Sequence, residues 1–371
     1  MSNSDTKYLI LACDGGGIRG LITAMLIQNL FQNFPTFLNQ VYLLAGTSTG
    51  GIISLALACG VSADNLVTLY STQGKEIFTP STCLGGAAAV TAPISTAAPP
   101  PPPTAASATS WWEYIVEHIE EIICAWYTNT GLKNAIETVL TSNATLTLSQ
   151  LSQYVLVNTF QLANSQNVWT PLQLTNLPNI QGNNSGGTTV IDAAMSTSAA
   201  PMYFPPYEHP TYGYCADGGV FANNPGTIAL TTLMEANVPM QDIWMLSLNT
   251  GNTLNCYPAS IINTVGPENF GPLFWFFPAS QPLQAVAGQP YTPAIPLMSA
   301  LFDGTSEMDA YQCGQLLRQQ YQRANVPLSA PIALDDFSPT AITTMTTSTK
   351  NYMQGSEWTN IIGWLRTNFF S

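Results

Sequence analysis

A serine flanked by glycines, Gly46-Thr47-Ser48-Thr49-Gly50, stands between two apolar segments and occurs once in this chain. The pattern fits the nucleophile elbow, a strand-to-helix turn too tight for flanking side chains, which lifts the serine hydroxyl clear of the backbone. Such a serine needs a base, and histidines are scarce. His118 lies among glutamates, and His209 lies in Tyr207-Glu208-His209-Pro210, where it stays open as an accessory. A carboxylate held beside the hydroxyl in a water-poor pocket can do the same work, because loss of solvation makes it a stronger base. Asp217 is the candidate. It precedes Gly218 and Gly219, with the small-residue stretches Thr197-Ser198-Ala199-Ala200-Pro201 and Asn223-Asn224-Pro225 on either side. The plain alternative is an Asp-Gly turn, which is the expectation for Asp303-Gly304.

Attack on an ester creates an oxyanion that preorganised N–H donors must meet. Asp14-Gly15-Gly16-Gly17-Ile18-Arg19-Gly20 offers bare amides from Gly15, Gly16 and Gly17 ahead of a helix N-terminus, where positive potential collects. The same glycines satisfy the dinucleotide fingerprint, which also expects an acidic residue about 20 positions on. No Asp or Glu occurs between Asp14 and Asp64, and the second strand ends in the serine elbow instead. The hydrolase reading is the better supported. Arg19 either attracts a substrate head group or braces the loop.

These residues require particular elements beneath them. Lys7–Cys13 reads as a buried strand, Leu21–Phe34 as a helix, Val41–Ala45 as a second strand, and Ile52–Cys59 and Ala63–Gly74 as further helices. Strand, turn and helix in repetition imply an α/β fold: a mostly parallel sheet covered by helices, with functional loops at the carboxyl ends of its strands. Between Glu76 and Glu113 no residue is charged, and residues 80–110 read as a proline- and alanine-rich loop or linker. Trp111–Tyr127 follows as an amphipathic helix with its glutamates on one face. Further helices are expected at Met308–Arg323 and Glu357–Phe369.

Composition narrows the classes. Of 371 residues, 46% are hydrophobic and 8% charged, and 21 acidic residues against eight Lys and Arg leave a net charge of −13. That balance repels phosphate backbones and argues against nucleic acid as a partner. No apolar run is long enough to span a bilayer, and the N-terminus lacks a secretory signal. The expectation is a soluble protein, cytoplasmic or exported by a non-Sec route. Seven scattered cysteines without CxxC spacing argue against a disulfide framework and against zinc.

Asp-Gly-Gly-Gly-Ile-Arg-Gly at 14–20, Gly-Thr-Ser-Thr-Gly at 46–50, Thr-Ser-Ala-Ala-Pro at 197–201 and Asp-Gly-Gly at 217–219 together resemble the patatin-like phospholipases and lipid acyl hydrolases, in order and at similar spacing. The resemblance covers residues 7–79 and 188–250. It implies a three-layer α/β/α fold in one catalytic domain over 1–371, a Ser48–Asp217 dyad, and an oxyanion hole from Gly15, Gly16 and Gly17. Arg19, Thr49, Gly218 and Gly219 stand as accessory residues, with no metal and no cofactor. The implied substrates are glycerolipids or other acyl esters, with a peripheral membrane contact left open and the oligomeric state unassigned. The alternative is a non-catalytic or activator-gated module that binds lipid or protein. Segment 80–110 departs from the family pattern; with 111–127 it either forms a lid or simply covers the sheet. Phe270–Pro278 is read as core, with an acyl-pocket lining as the alternative.

Overall fold

The computed structural model describes residues 6–81, 124–182, 184–253, 255–257, 259–269, 275 and 296–370. Strand β1 (Tyr8–Cys13) turns into helix α1 (Gly20–Asn33), and β2 (Val41–Thr47) into α2 (Thr49–Ala58), followed by α3 (Ala63–Thr72). Then come α4 (Asn129–Leu140), β3 (Tyr154–Gln161), β4 (Thr170–Thr175), α5 (Val190–Thr197), β5 (Tyr207–His209) and β6 (Gly213–Asp217). The chain continues through α6 (Gly226–Glu235), β7 (Ile243–Leu248), α7 (Pro296–Leu317), β8 (Tyr321–Ala324), α8 (Pro339–Met353) and α9 (Ser356–Phe369).

One sheet runs in the order β5-β6-β3-β2-β1-β7-β8, with β4 on β3. Strands β3, β2, β1, β7 and β8 are parallel, whereas β4, β6 and β5 join antiparallel. Both faces are covered. Along β1, Leu9, Leu11 and Cys13 point into one core with α1, α2 and the C-terminal helices, while Ile10 and Ala12 point into the other with Leu230 and Leu233 of α6 and Cys313 and Leu317 of α7. Burial on two sides explains why β1 is an unbroken apolar run and not an alternating one. The result is a three-layer α/β/α fold. Among the described residues no helix is long and apolar enough to cross a membrane.

Several expectations need correction. The helix expected at 308–323 begins at Pro296 and stops at Leu317, where Arg318 takes a left-handed φ of 51°. Residues 321–324 then form an edge strand on β7. Asp303-Gly304 is not a turn but lies inside α7, where Asp303 Oδ2 accepts from Asn255 Nδ2 at 2.6 Å. Residues 124–127 of the expected amphipathic helix are not helical; Tyr127 forms a bridge to Pro80. Its residues 111–123, with His118, and residues 82–110 lie outside the described residues, as do 270–278 apart from Trp275. Cys124 is disulfide-bonded, against the expectation that the cysteines form no disulfide framework, whereas Cys13, Cys59, Cys215 and Cys313 are free thiols.

The edge strand β8 carries a residue that matters at the centre of the sheet. Arg323 reaches across β7, donating from Nη1 to Ser247 Oγ at 2.7 Å, and grips Asp14 with Nη2–Oδ2 at 2.6 Å and Nη1–Oδ1 at 3.2 Å. The side chains are 11% and 2% exposed, so this is a buried bidentate ion pair. Removing one partner of such a pair strands the other charge, at about 3–5 kcal/mol. Arg323→Met is therefore expected to lower the urea-unfolding free energy by about that amount, and Asp14→Asn in the same chain should restore a large part of it.

Candidate active site

Ser48 sits between β2 and α2 with φ 55° and ψ −126°, a region that side chains rarely occupy. Such a backbone costs on the order of 1–3 kcal/mol and persists only where its surroundings hold it. Those surroundings are specific. The Ser48 amide donates to Thr197 Oγ1 at 2.8 Å, the Thr197 hydroxyl donates to the Asn158 carbonyl, and the Ser48 carbonyl accepts from the Ile52 amide at 3.0 Å. Gly50 is packed so closely on β1 that a Cβ there would lie 2.0 Å from the Cys13 carbonyl oxygen. The glycines of the elbow are thus a packing requirement, and Ser48 remains partly exposed while its neighbours are buried.

Asp217 ends β6, fully buried and paired with Thr159 across the antiparallel ladder. Its amide donates to the Ala199 carbonyl at 2.9 Å, and its Oδ1 accepts from the Gly219 amide at 2.7 Å. Burial pushes the carboxyl up to about 7, against lowering contributions from the Ser48 hydroxyl and the Gly219 amide. Oδ2 has no hydrogen bond of full geometry. Gly218 lets the turn close, since a Cβ there would lie 2.4 Å from the Asn158 carbonyl oxygen.

Ser48, Thr49, Asp217, Gly16 and Gly17 line one cavity of about 630 Å³, counted out to its open mouth. Its walls are otherwise almost wholly apolar, including Ile52, Phe78, Leu132, Tyr203, Phe204 and Phe302. Of the three candidate oxyanion donors, the Gly15 amide is engaged with the Asn223 carbonyl at 2.9 Å, and Gly15 is not part of the lining. The set narrows to Gly16 and Gly17. Arg19 Nε lies 3.4 Å from the Gly16 carbonyl, which fits a brace for the loop. Gly219 stands behind the carboxylate and does not line the cavity. His209 does not line it either. Its buried Nδ1 accepts from the Thr211 and Tyr212 amides at 3.0 and 3.2 Å, a turn-closing role, and burial lowers its pKa.

Other residues hold the site without standing out as chemical. Thr197 and Asn223 fall in stretches noted for small side chains, yet each acts through hydrogen bonds, Asn223 also donating from Nδ2 to Ser306 Oγ at 2.9 Å. Thr250 Oγ1 donates to the Gly15 carbonyl at 2.8 Å and Asn158 Nδ2 to Thr47 Oγ1 at 3.0 Å. No local motif marks either residue, because the partners lie 235 and 111 positions away.

Comparison with known proteins places this geometry. Protein teg of Priestia megaterium is 23% identical over 338 residues, 86% of this chain and 88% of its own. The cGAMP-activated phospholipase of Escherichia coli is 28% identical over 259 residues, 66% of this chain. The chain spans 62% of that relative's length. Among solved structures, human GIVD cytosolic phospholipase A2 aligns over 99% of this chain and 61% of its own, with a TM-score of 0.40 and 11% identity. The family model described as patatin-like phospholipase matches residues 11–230, a stretch that runs from β1 through the serine elbow and past Asp217, and with more than half of the sequence matched, the chain belongs to the patatin-like phospholipase family.

Proposed function

We propose that the protein is a serine acyl hydrolase that cleaves fatty acyl esters of glycerolipids or related compounds, with Ser48 as nucleophile and Asp217 as general base. The observation that carries this reading is a backbone-strained serine and a buried, proton-hungry carboxylate on the wall of one apolar cavity. Asp217 takes the hydroxyl proton as Ser48 Oγ bonds to the acyl carbon, and the carbonyl electrons move onto oxygen. The Gly16 and Gly17 amides meet that oxyanion. Collapse of the intermediate expels the alcohol, which takes the proton from Asp217. Water, deprotonated by Asp217, then attacks the acyl-enzyme; the acyl–Oγ bond breaks, Ser48 Oγ takes the proton back from Asp217, and the carboxylic acid is released. No metal or cofactor enters these steps. The apolar walls fit an acyl chain better than a polar group, and membership in the phospholipase family points the same way.

Several relatives are named as cGAMP-activated phospholipases, so an activator-gated enzyme is the second reading. A fluorophosphonate probe separates the two: the ungated enzyme is labelled at Ser48, and folded protein that stays unlabelled supports gating.

Two outcomes test the assignment. On p-nitrophenyl butyrate, Ser48→Ala and Asp217→Asn are each expected to lose at least about a thousand-fold in kcat, and undiminished turnover in folded protein rejects the dyad. In the wild type, kcat/KM should rise with pH through about 7 and then level, because the free carboxyl must be ionised to act as base; a flat profile from pH 5 to 8 counts against Asp217.

The same carboxyl makes a stability prediction of definite sign. Its folded-state pKa is raised from 3.8 to about 7, so the fold favours the protonated form. That contribution is fully present below pH 3.8 and is lost as pH rises through about 7. Asp217→Asn should therefore melt higher than the wild type at pH 8, by an amount on the order of a few kcal/mol, and the gap should shrink toward pH 4.

A further inference from the structure

The oxyanion turn is held from below by a loop that contains no catalytic motif. The Ile18 amide donates to the Leu334 carbonyl at 2.8 Å. Gly17, with a left-handed φ of 58°, sits so close above it that a Cβ would lie 2.2 Å from the Leu334 oxygen. Wherever the Leu334 carbonyl goes, the Gly17–Ile18 peptide must follow. Residues 331–338 are neither helix nor strand, so regular ladders do not fix that carbonyl.

The next residue ties it down. Asp335 Oδ2 accepts from the Tyr127 hydroxyl at 2.5 Å, across 208 positions of sequence. Tyr127 is buried and anchored independently, its amide donating to the Tyr203 carbonyl at 2.8 Å and its ring lying 5.2 Å from that of Phe78 and 5.8 Å from that of Phe204. Phe78, Tyr203 and Phe204 all line the cavity. A second strap runs parallel, because the Phe337 ring stacks on Phe78 at 6.2 Å with an interplanar angle of 2°.

We propose that Tyr127 and Asp335 form a positioning pair that holds the oxyanion turn through Leu334, joining the apolar wall that takes the acyl chain to the amides that meet its carbonyl. The inference rests on the acyl-hydrolase reading and adds two residues to it, one of which lies beyond the matched family segment. A hydroxyl donating to a half-buried carboxylate is a short, charge-assisted bond, stiffer than the neutral contacts around it. Because Leu334 holds the turn through the Ile18 amide on one side and is joined to Asp335 on the other, loss of the bond shifts the Gly16 and Gly17 amides and leaves the chain-binding surface in place. Misplacement of such donors by a fraction of an ångström lowers the chemical step and spares ground-state binding.

The test compares p-nitrophenyl acetate, whose two-carbon acyl group offers little apolar surface to the wall, with p-nitrophenyl decanoate. Tyr127→Phe is expected to lower kcat on both esters by on the order of ten- to a hundred-fold, with KM within about two-fold of the wild type. Asp335→Asn keeps an acceptor for the Tyr127 hydroxyl and should stay within about three-fold of wild-type kcat. A Tyr127→Phe enzyme with unchanged kcat, or one that only raises KM for decanoate, overturns the proposal, and so does an Asp335→Asn loss as large as that of Tyr127→Phe. Should Tyr127→Phe fail to fold by near-UV circular dichroism, Asp335→Ala breaks the same bond from the other side and is expected to show the same kcat loss. Ser48→Ala run alongside keeps the two readings apart: if it retains wild-type turnover, the hydrolase assignment itself fails, whatever Tyr127→Phe does.

Discussion

The stretch from Thr197 to Ala199 is the constraint on which the site depends. Its threonine hydroxyl accepts the amide of Ser48, and its alanine carbonyl accepts the amide of Asp217. The two strands that deliver these residues, β2 and β6, are not neighbours, since β3 lies between them. Sheet hydrogen bonding alone would leave their ends independent. A three-residue bracket at the end of α5 fixes one relative to the other, and supplies the partner without which the Ser48 backbone would relax out of its strained conformation. Close packing completes the bracket, with Gly50 on the backbone of β1 and Gly218 on that of β3.

Two buried carboxylates within this small region differ in their partners. Asp14 is gripped by Arg323 through two hydrogen bonds, so its charge is matched and it serves to fasten the start of the glycine loop to the sheet. Asp217 has only the Gly219 amide and the Ser48 hydroxyl to favour its ionised form, and burial outweighs both. The first carboxylate is structural because it is paired. Burial raises the proton affinity of both, but only Asp14 has a cation set against it; an unpaired carboxyl pushed up to about 7 suits a general base near neutral pH. A chain with only eight Lys and Arg among 371 residues can leave such a carboxylate without a compensating cation.

The C-terminal third enters the site from outside the matched family segment. Phe302 of α7 lines the cavity beside Gly219, Leu334 supports the Gly17 turn, and Arg323 of β8 reaches Asp14. The glycine loop at 14–20 is consequently braced by Arg323 and Leu334, each more than 300 positions away from it. An ion pair and a peptide hydrogen bond share that task.

Much was legible in the sequence because it is local. Apolar runs flanked by glycines placed β1, α1, β2 and α2 within a few residues, and the four motifs marked Ser48, Asp217 and the glycine turn, since a tight turn imposes its residue types on adjacent positions. What the sequence could not carry was partnership across the chain. That the Gly15 amide is consumed by Asn223, that Thr197 holds Ser48, and that residues 321–324 form a strand whose arginine neutralises Asp14 all depend on which distant backbones meet. The types of residue able to do the chemistry were set by local geometry; the choice of which amides stay free and which carboxylate stays unpaired was made only when the chain closed on itself, because hydrogen bonding and burial are properties of neighbours in space.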